Sequence, residues 1–226
     1  MKSTKIFKGL RIVLGLILLL VGVLSMVNTG GMDLFSSGVS TAGLAMTAIT
    51  WEDGTDNIGG FTCEAFIGFR SDIASYPTLK AIPTGYIDLV KLIGDYTMKS
   101  TRKFIEVYVT PETFKGDAET QGEKDGQSFK SKGELFYPGT KAECLGFCKA
   151  INNQKGVLIG IDPNDGVRYN WGQKGLPVTF KVKIAFGQKA ADRRGATISW
   201  ESDNSAPAFI YGGIIPLDPA SIPAIS

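Results

Sequence analysis

Residues 178–186 alternate with a period of two. Val178, Phe180, Val182, Ile184 and Phe186 fall on one side of an extended chain, and Thr179, Lys181, Lys183 and Ala185 on the other. Successive side chains of a strand point to opposite faces, whereas a helix would scatter these apolar groups around its axis. The run is therefore an amphipathic strand, with one face for a core and one for water. Ala196, Ile198 and Trp200 repeat the pattern against Thr197, Ser199 and Glu201. The polar residues 188–195 connect the two runs, which read as a long hairpin, and a half-buried hairpin needs further strands to cover it.

Further strand candidates occupy residues 61–69, 86–93, 103–110, 127–137 and 156–161. Residues 167–171 answer the last of these across a compact turn, Asp162-Pro163-Asn164-Asp165-Gly166. One helix interrupts the strands. Thr140 and Glu143 have capping-box spacing just after Pro138-Gly139, and they predict a helix running to about Asn152. Cys144, Leu145, Cys148 and Ile151 share one stripe of it. With 28 Gly and 10 Pro, the chain favours short strands and many turns. The expected fold is mainly β: an antiparallel sandwich or partly closed barrel with one flanking α-helix, preceded by an N-terminal apolar helix.

That apolar helix is expected at residues 12–32, which carry no charge and follow Lys2, Lys5, Lys8 and Arg11. At the helical rise the stretch covers roughly 30 Å, enough to cross a bilayer core. No pair of small residues with cleavage-site spacing follows it closely, so an uncleaved anchor with a cytoplasmic basic end fits better than a cleaved signal. A third reading makes residues 1–45 an extension absent from the mature protein, because Met46 would serve as a start. The chain thus divides into a leader (1–45, with a Gly/Ser/Thr linker), a β-rich domain (46–215) and a Pro-rich C-terminal arm (216–226).

Four of the 24 Lys and Arg residues, but only one of the 22 Asp and Glu, stand in the leader, so the remainder is near neutral. Net charge gives the β-rich domain no reason to seek nucleic acid or acidic lipid. The absence of histidine removes Ser-His-Asp and Cys-His catalysis and His-ligated zinc. Cys63, Cys144 and Cys148 have no framework spacing and read as small buried residues. Asp53, Asp56, Asp162 and Asp165 lie in acidic loops without EF-hand spacing, which read as turns. No pair of acids points to a glycosidase-like cleft. The expectation is a non-enzymatic protein without cofactor or metal.

Three segments remain as contact candidates. Residues 115–126 are charged, Gly-punctuated and nearly devoid of apolar groups, and read as a long mobile loop or an extended hairpin tip. Asp192, Arg193 and Arg194 sit at the turn of the long hairpin, as a solvated tip or a basic contact for a partner's carboxylate or nucleic acid. The arm carries Pro216, Pro219 and Pro223 and cannot form a central strand.

A set of ordered short motifs carries a family resemblance. It comprises Asn57-Ile58-Gly59-Gly60-Phe61, Ser71-Asp72-Ile73, the stretch from Gln121-Gly122-Glu123-Lys124-Asp125-Gly126 to Lys130, and Phe136-Tyr137-Pro138-Gly139-Thr140. Gly187-Gln188, Asp192-Arg193-Arg194-Gly195-Ala196-Thr197 and Ala206-Pro207-Ala208 complete it. Over residues 46–215 these resemble structural proteins of tailed bacteriophages and prophages, of the tail-tube type.

The resemblance implies a virion subunit, assembled in the host cytoplasm, that closes into rings, usually hexameric. Its inner strands would form a continuous barrel, and stacked rings would make a conduit in which DNA passes without sequence-specific contact. Partners would be other copies of the chain and other virion proteins. Lys115, Asp117, Glu119, Glu123, Lys124 and Asp125 would contact a neighbouring ring or subunit. Asp192, Arg193 and Arg194 would join that interface, and Pro216, Pro219 and Pro223 would clasp an adjacent protomer. A tube subunit has no use for a spanning helix, so the leader departs from the pattern. If residues 1–45 are retained, the alternative is a membrane-anchored extracytoplasmic β-sandwich binding module, held in the inner membrane.

Overall fold

The computed structural model describes residues 44–45 and 47–217. The predicted span at 12–32 and the arm residues Pro219 and Pro223 lie outside them. The described part is mainly β with one α-helix. Its strands are β1 (Glu64–Phe69), β2 (Ile73–Ser75), β3 (Thr78–Leu79), β4 (Lys91–Ile93), β5 (Thr97–Met98), β6 (Ile105–Tyr108) and β7 (Lys115–Gln121). They continue with β8 (Ser128–Pro138), then after the helix α1 (Ala142–Ile151) with β9 (Lys155–Ile161), β10 (Arg168–Trp171), β11 (Val178–Ala185), β12 (Gly195–Asn204) and β13 (Phe209–Tyr211).

Strand β9 is the hub of the larger sheet. One of its edges bonds β1, with Phe69 opposite Gly156 and Ala65 opposite Gly160. Its other edge forks: residues 158–161 bond β10, while Lys155 and Gly156 bond the start of β11. One branch then runs β10-β13-β4-β3 and the other β11-β12-β8-β7, with β6 beside β1. Pairing is antiparallel except between β13 and β4, so the sheet is mixed. It does not close into a barrel. Beyond the end of β6, a backbone bond from Thr110 N to Phe136 O (2.9 Å) stands where a ladder would complete closure. Strands β2 and β5 form a separate pair.

The sequence explains why β1 and β9 lie at the centre. Ala65-Phe66-Ile67 and Val157-Leu158-Ile159 are unbroken apolar runs, and all six are fully buried. Such runs belong to strands covered on both faces. Ala65, Ile67 and Leu158 pack with Leu135, Trp171, Val178, Phe180, Ile198 and Trp200. On the other face Phe66, Val157 and Ile159 pack with Leu92, Tyr96, Phe104, Phe209, Tyr211 and Ile215.

A partly buried polar network pins residues 213–214 to this second cluster. Tyr96 OH donates to Asn170 Oδ1 (2.9 Å), and Tyr211 OH accepts from Tyr96 N (3.2 Å) and donates to Ile214 O (2.6 Å). Asp95 Oδ1 accepts from Ile214 N (2.7 Å), and Arg168 Nη1 donates to Gly213 O (2.8 Å). The predicted arm therefore begins packed on its own domain. Ile215 and Leu217 are buried, and Pro216 O accepts from Phe104 N (2.9 Å).

Three local expectations differ from what forms, and one open alternative is decided. Residues 86–93 are not one strand: Tyr86–Leu89 is a 3-10 turn, braced where Asp88 accepts from Thr84 N, Thr84 Oγ1 and Lys80 Nζ. Residues 115–121 are no loop but strand β7, paired with β8 along its whole length, so the extended-hairpin form holds. Phe186 falls beyond the end of β11 and is exposed. The capping box does not form: α1 starts after Lys141 without a side-chain cap, and Thr140 Oγ1 accepts instead from Arg194. The stripe of Cys144, Cys148 and Ile151 is buried as expected, while Leu145 stays at the margin.

Candidate functional site

The branch β11-β12-β8-β7 is a four-stranded antiparallel sheet with two unlike faces. Strands β12 and β8 pair from Gly195↔Pro138 to Asn204↔Phe129, and β8 and β7 from Glu134↔Lys115 to Ser128↔Gln121. Because opposite residues share a face, the period-two pattern sorts the side chains. Val178, Phe180, Ile198, Trp200 and Leu135 point inward to the first apolar cluster. Toward the end of β12 the inward positions turn polar: Ser202 Oγ donates to Asn204 Oδ1, Asn204 Nδ2 to Ser131 Oγ, and Ser131 Oγ to Pro207 O.

The outward face carries five lysines (Lys115, Lys130, Lys132, Lys181, Lys183) and five carboxylates (Asp117, Glu119, Glu134, Glu201, Asp203). Cross-strand ion pairs tie Lys132 to Glu119 (2.7 Å), Lys115 to Glu134 (3.0 Å), Lys181 to Glu201 (3.6 Å) and Lys130 to Glu201 (3.8 Å). The hydrogen bond and charge of Lys132 hold the Glu119 carboxyl below the usual range, and Glu119 raises Lys132 in return. Exposed pairs of this kind contribute little stability. Their effect here is a charge-balanced, hydrophilic surface.

Among the described residues, both edges of this sheet are open. There β7 bonds only β8. β11 bonds β12 along its length but meets β9 only at Val178 and Thr179, so no described strand lies against the other edge of residues 180–185. The three antiparallel pairings between them make β7 and β11 run in opposite directions. Beside the β11 edge, Leu145, Cys148, Lys149 and Asn152 of the helix segment and Val182 and Ile184 line a groove of about 290 Å³.

The predicted contact residues in the described part divide among four places. Lys115, Asp117 and Glu119 lie on the outward face of the β7 edge. Glu123, Lys124 and Asp125 form the exposed turn at one end of the β7–β8 hairpin. Asp192, Arg193 and Arg194 lie at the opposite end of the sheet, and there the tip is folded back. Asp192 Oδ2 accepts from Gln188 N and Lys189 N (both 2.7 Å). The Arg193 guanidinium sits 3.7 Å over the Phe136 ring. Arg193 and Lys115 line one depression with Glu112 and Glu134, whereas Pro216 belongs to the second apolar cluster's side of the domain. The lysines of β11 and β8 escaped the sequence reading of contacts, although Lys181 and Lys183 already stood on the wet face of the alternating run.

The acidic loops serve as turns. Asp162 Oδ1 accepts from Asn164 N and Nδ2, and Asp165 Oδ1 from Val167 N. Among the described residues no group of His, Cys, Asp and Glu is placed to hold a metal, and no helix is long and apolar enough to cross a membrane. Compared with protein-family models, curated proteins and solved structures, the chain matches none.

Proposed function

We propose that the protein is a non-enzymatic virion subunit of tail-tube type, whose copies join edge to edge into rings that enclose a conduit for DNA. The observation that carries this reading is the four-stranded sheet with two open edges of opposite direction. A bare edge is a template for another strand, and soluble chains ordinarily blunt or cover it. Joining the β11 edge of one copy to the β7 edge of the next preserves antiparallel order and repeats around a closed ring. Barrels of about 16 strands or more hold an aqueous channel, so about four such copies suffice, and six fit the family resemblance. The outward charged face would line the lumen. Its balanced lysines and carboxylates give a polyanion no net attraction, which suits passage over capture. The sandwich-like stack of clusters on both faces of β1 and β9 would form the wall. Light scattering on the size-excluded full chain, in mild detergent to keep the leader soluble, tests the reading. A discrete oligomer supports it, and a monomer at all concentrations rejects it.

A second reading rests on the uncharged residues 12–32 behind four basic residues. It makes the domain a membrane-anchored extracytoplasmic binding module. Recovery of the full chain in the membrane fraction of expressing cells, as a monomer, would favour it over the first.

A further inference from the structure

We infer that the slot between α1 and β11 receives strand β7 of a second copy in one register, with Lys183 of one copy opposite Asp117 of the next. The inference rests on the edge-to-edge reading and adds the contact that would make it specific.

Three observations select the register. The first is parity. A one-residue slip turns every side chain to the wrong face, so Lys181 and Lys183 must meet the outward set Lys115, Asp117, Glu119 and Gln121. The second is charge. Placing Lys183 opposite Asp117 sets Lys181 opposite Glu119 and matches the open residues 180–185 to residues 120–115. A shift of two in one direction sets Lys183 against Lys115, like against like. A shift in the other direction leaves Lys181 facing neutral Gln121 and runs Phe180 past the end of β7. Within one copy, neither Lys183 nor Asp117 makes an ion pair among the described residues.

The third observation is volume. The inward residues of β7 are Gly116, Ala118 and Thr120, with no large side chain among them. In this register Ala118 meets Val182 and Gly116 meets Ile184, the two side chains that form the groove with Leu145 and Cys148. Small residues let a strand slide under the helix, and the half-covered Leu145 gains a cover. A bulky inward residue on β7 would strike α1.

The test uses the full chain carrying K183C and D117C together, treated with a short bis-maleimide or mild oxidant under assembling conditions. A ladder of covalent multimers on a denaturing gel is expected, because paired strand positions have Cα atoms about 5 Å apart. K183C alone, which keeps the native cysteines, should give none, and K183C with K115C should give far less. K183E and D117K should each raise the half-assembly concentration roughly two- to five-fold per seam, and their combination should restore it. Preferential cross-linking of the K183C/K115C chain would overturn the register while leaving edge pairing intact. So would a double charge variant as weak as the singles. An unmodified chain that never assembles would overturn the edge-to-edge reading itself, and the register with it.

Discussion

Trp200 and the Lys115 carbonyl oxygen of β7 together occupy the space that a side chain on Gly133 would need: a Cβ there would collide with Lys115 O and stand 2.7 Å from Trp200 Cζ2. Trp200 and Gly133 are opposite each other in the β12–β8 ladder, and Gly116 on β7 extends the same clearing, its Cβ position 3.0 Å from the indole. Trp200 also packs 4.7 Å, ring to ring, from Trp171, so this contact couples the four-stranded sheet to the core beneath. Gly133→Ala should cost at least about 1–3 kcal/mol through overpacking, because β7 must shift at Lys115 as well as the indole of Trp200, with a changed near-ultraviolet dichroism. Gly146, in the exposed interior of α1, meets nothing within 4 Å, and Gly146→Ala should stabilise by about 0.5–1 kcal/mol. Denaturant unfolding of the two variants checks the opposite signs.

Asn164 holds the N-terminal segment of the domain. Its Nδ2 donates to Ile58 O (2.9 Å) and its Oδ1 accepts from Ile58 N (2.8 Å), a side chain standing in for a strand. Asn164→Ala removes both bonds, together with the one from Nδ2 to Asp162 Oδ1, at an exposed site and should cost about 1 kcal/mol. Hydrogen exchange should show the Ile58 amide deprotected and β9 unchanged.

The turn that seats Arg193 on Phe136 should loosen in acid. The Lys189 and Gln188 amides hold the Asp192 carboxyl below its usual range. A lowered folded value means that its contribution is full above the ordinary carboxylate range, near about pH 4, and fades as pH falls through the folded value. Lower protection factors at the 188 and 189 amides are expected as pH falls below about 4, and at neutral pH in Asp192→Ala.

At the alkaline end the sign reverses. Burial, then the neighbouring Cys144, pushes the Cys148 thiol up to about 11, and burial pushes the Tyr211 phenol up to about 12. Burial also raises Tyr96. Each group stays protonated in the fold where the unfolded chain would ionise, so its contribution holds below the ordinary value and is lost as pH rises through the folded one. Unfolding midpoints should fall above about pH 9. Tyrosinate absorbance should rise in two phases, with Tyr96 and Tyr211 late. A thiol reagent should label half-exposed Cys63 before Cys148. A single tyrosine transition near pH 10 would contradict the buried network.

How much of this could be read from the residues depends on burial. Strands with one wet face, such as β11 and β12, announce themselves by alternation, and β9 by its unbroken apolar run. β7 does not, because it faces water with Lys115, Asp117 and Glu119 and turns only Gly116, Ala118 and Thr120 inward; an edge strand built this way resembles a loop. β13 is too short to show a period. The fork at β9 and the bare edge of β11 follow from which strands meet across the chain, and no local pattern encodes that. Thr140 offered a cap, but Arg194, distant in sequence, took its hydroxyl.

The central claim is that these two open edges belong together. Negative-stain electron microscopy of the purified full chain addresses it most directly. Closed rings or stacked tubes with a central hole are the expected result. Isolated globular particles at every concentration, or open fibres with no lumen, would contradict it.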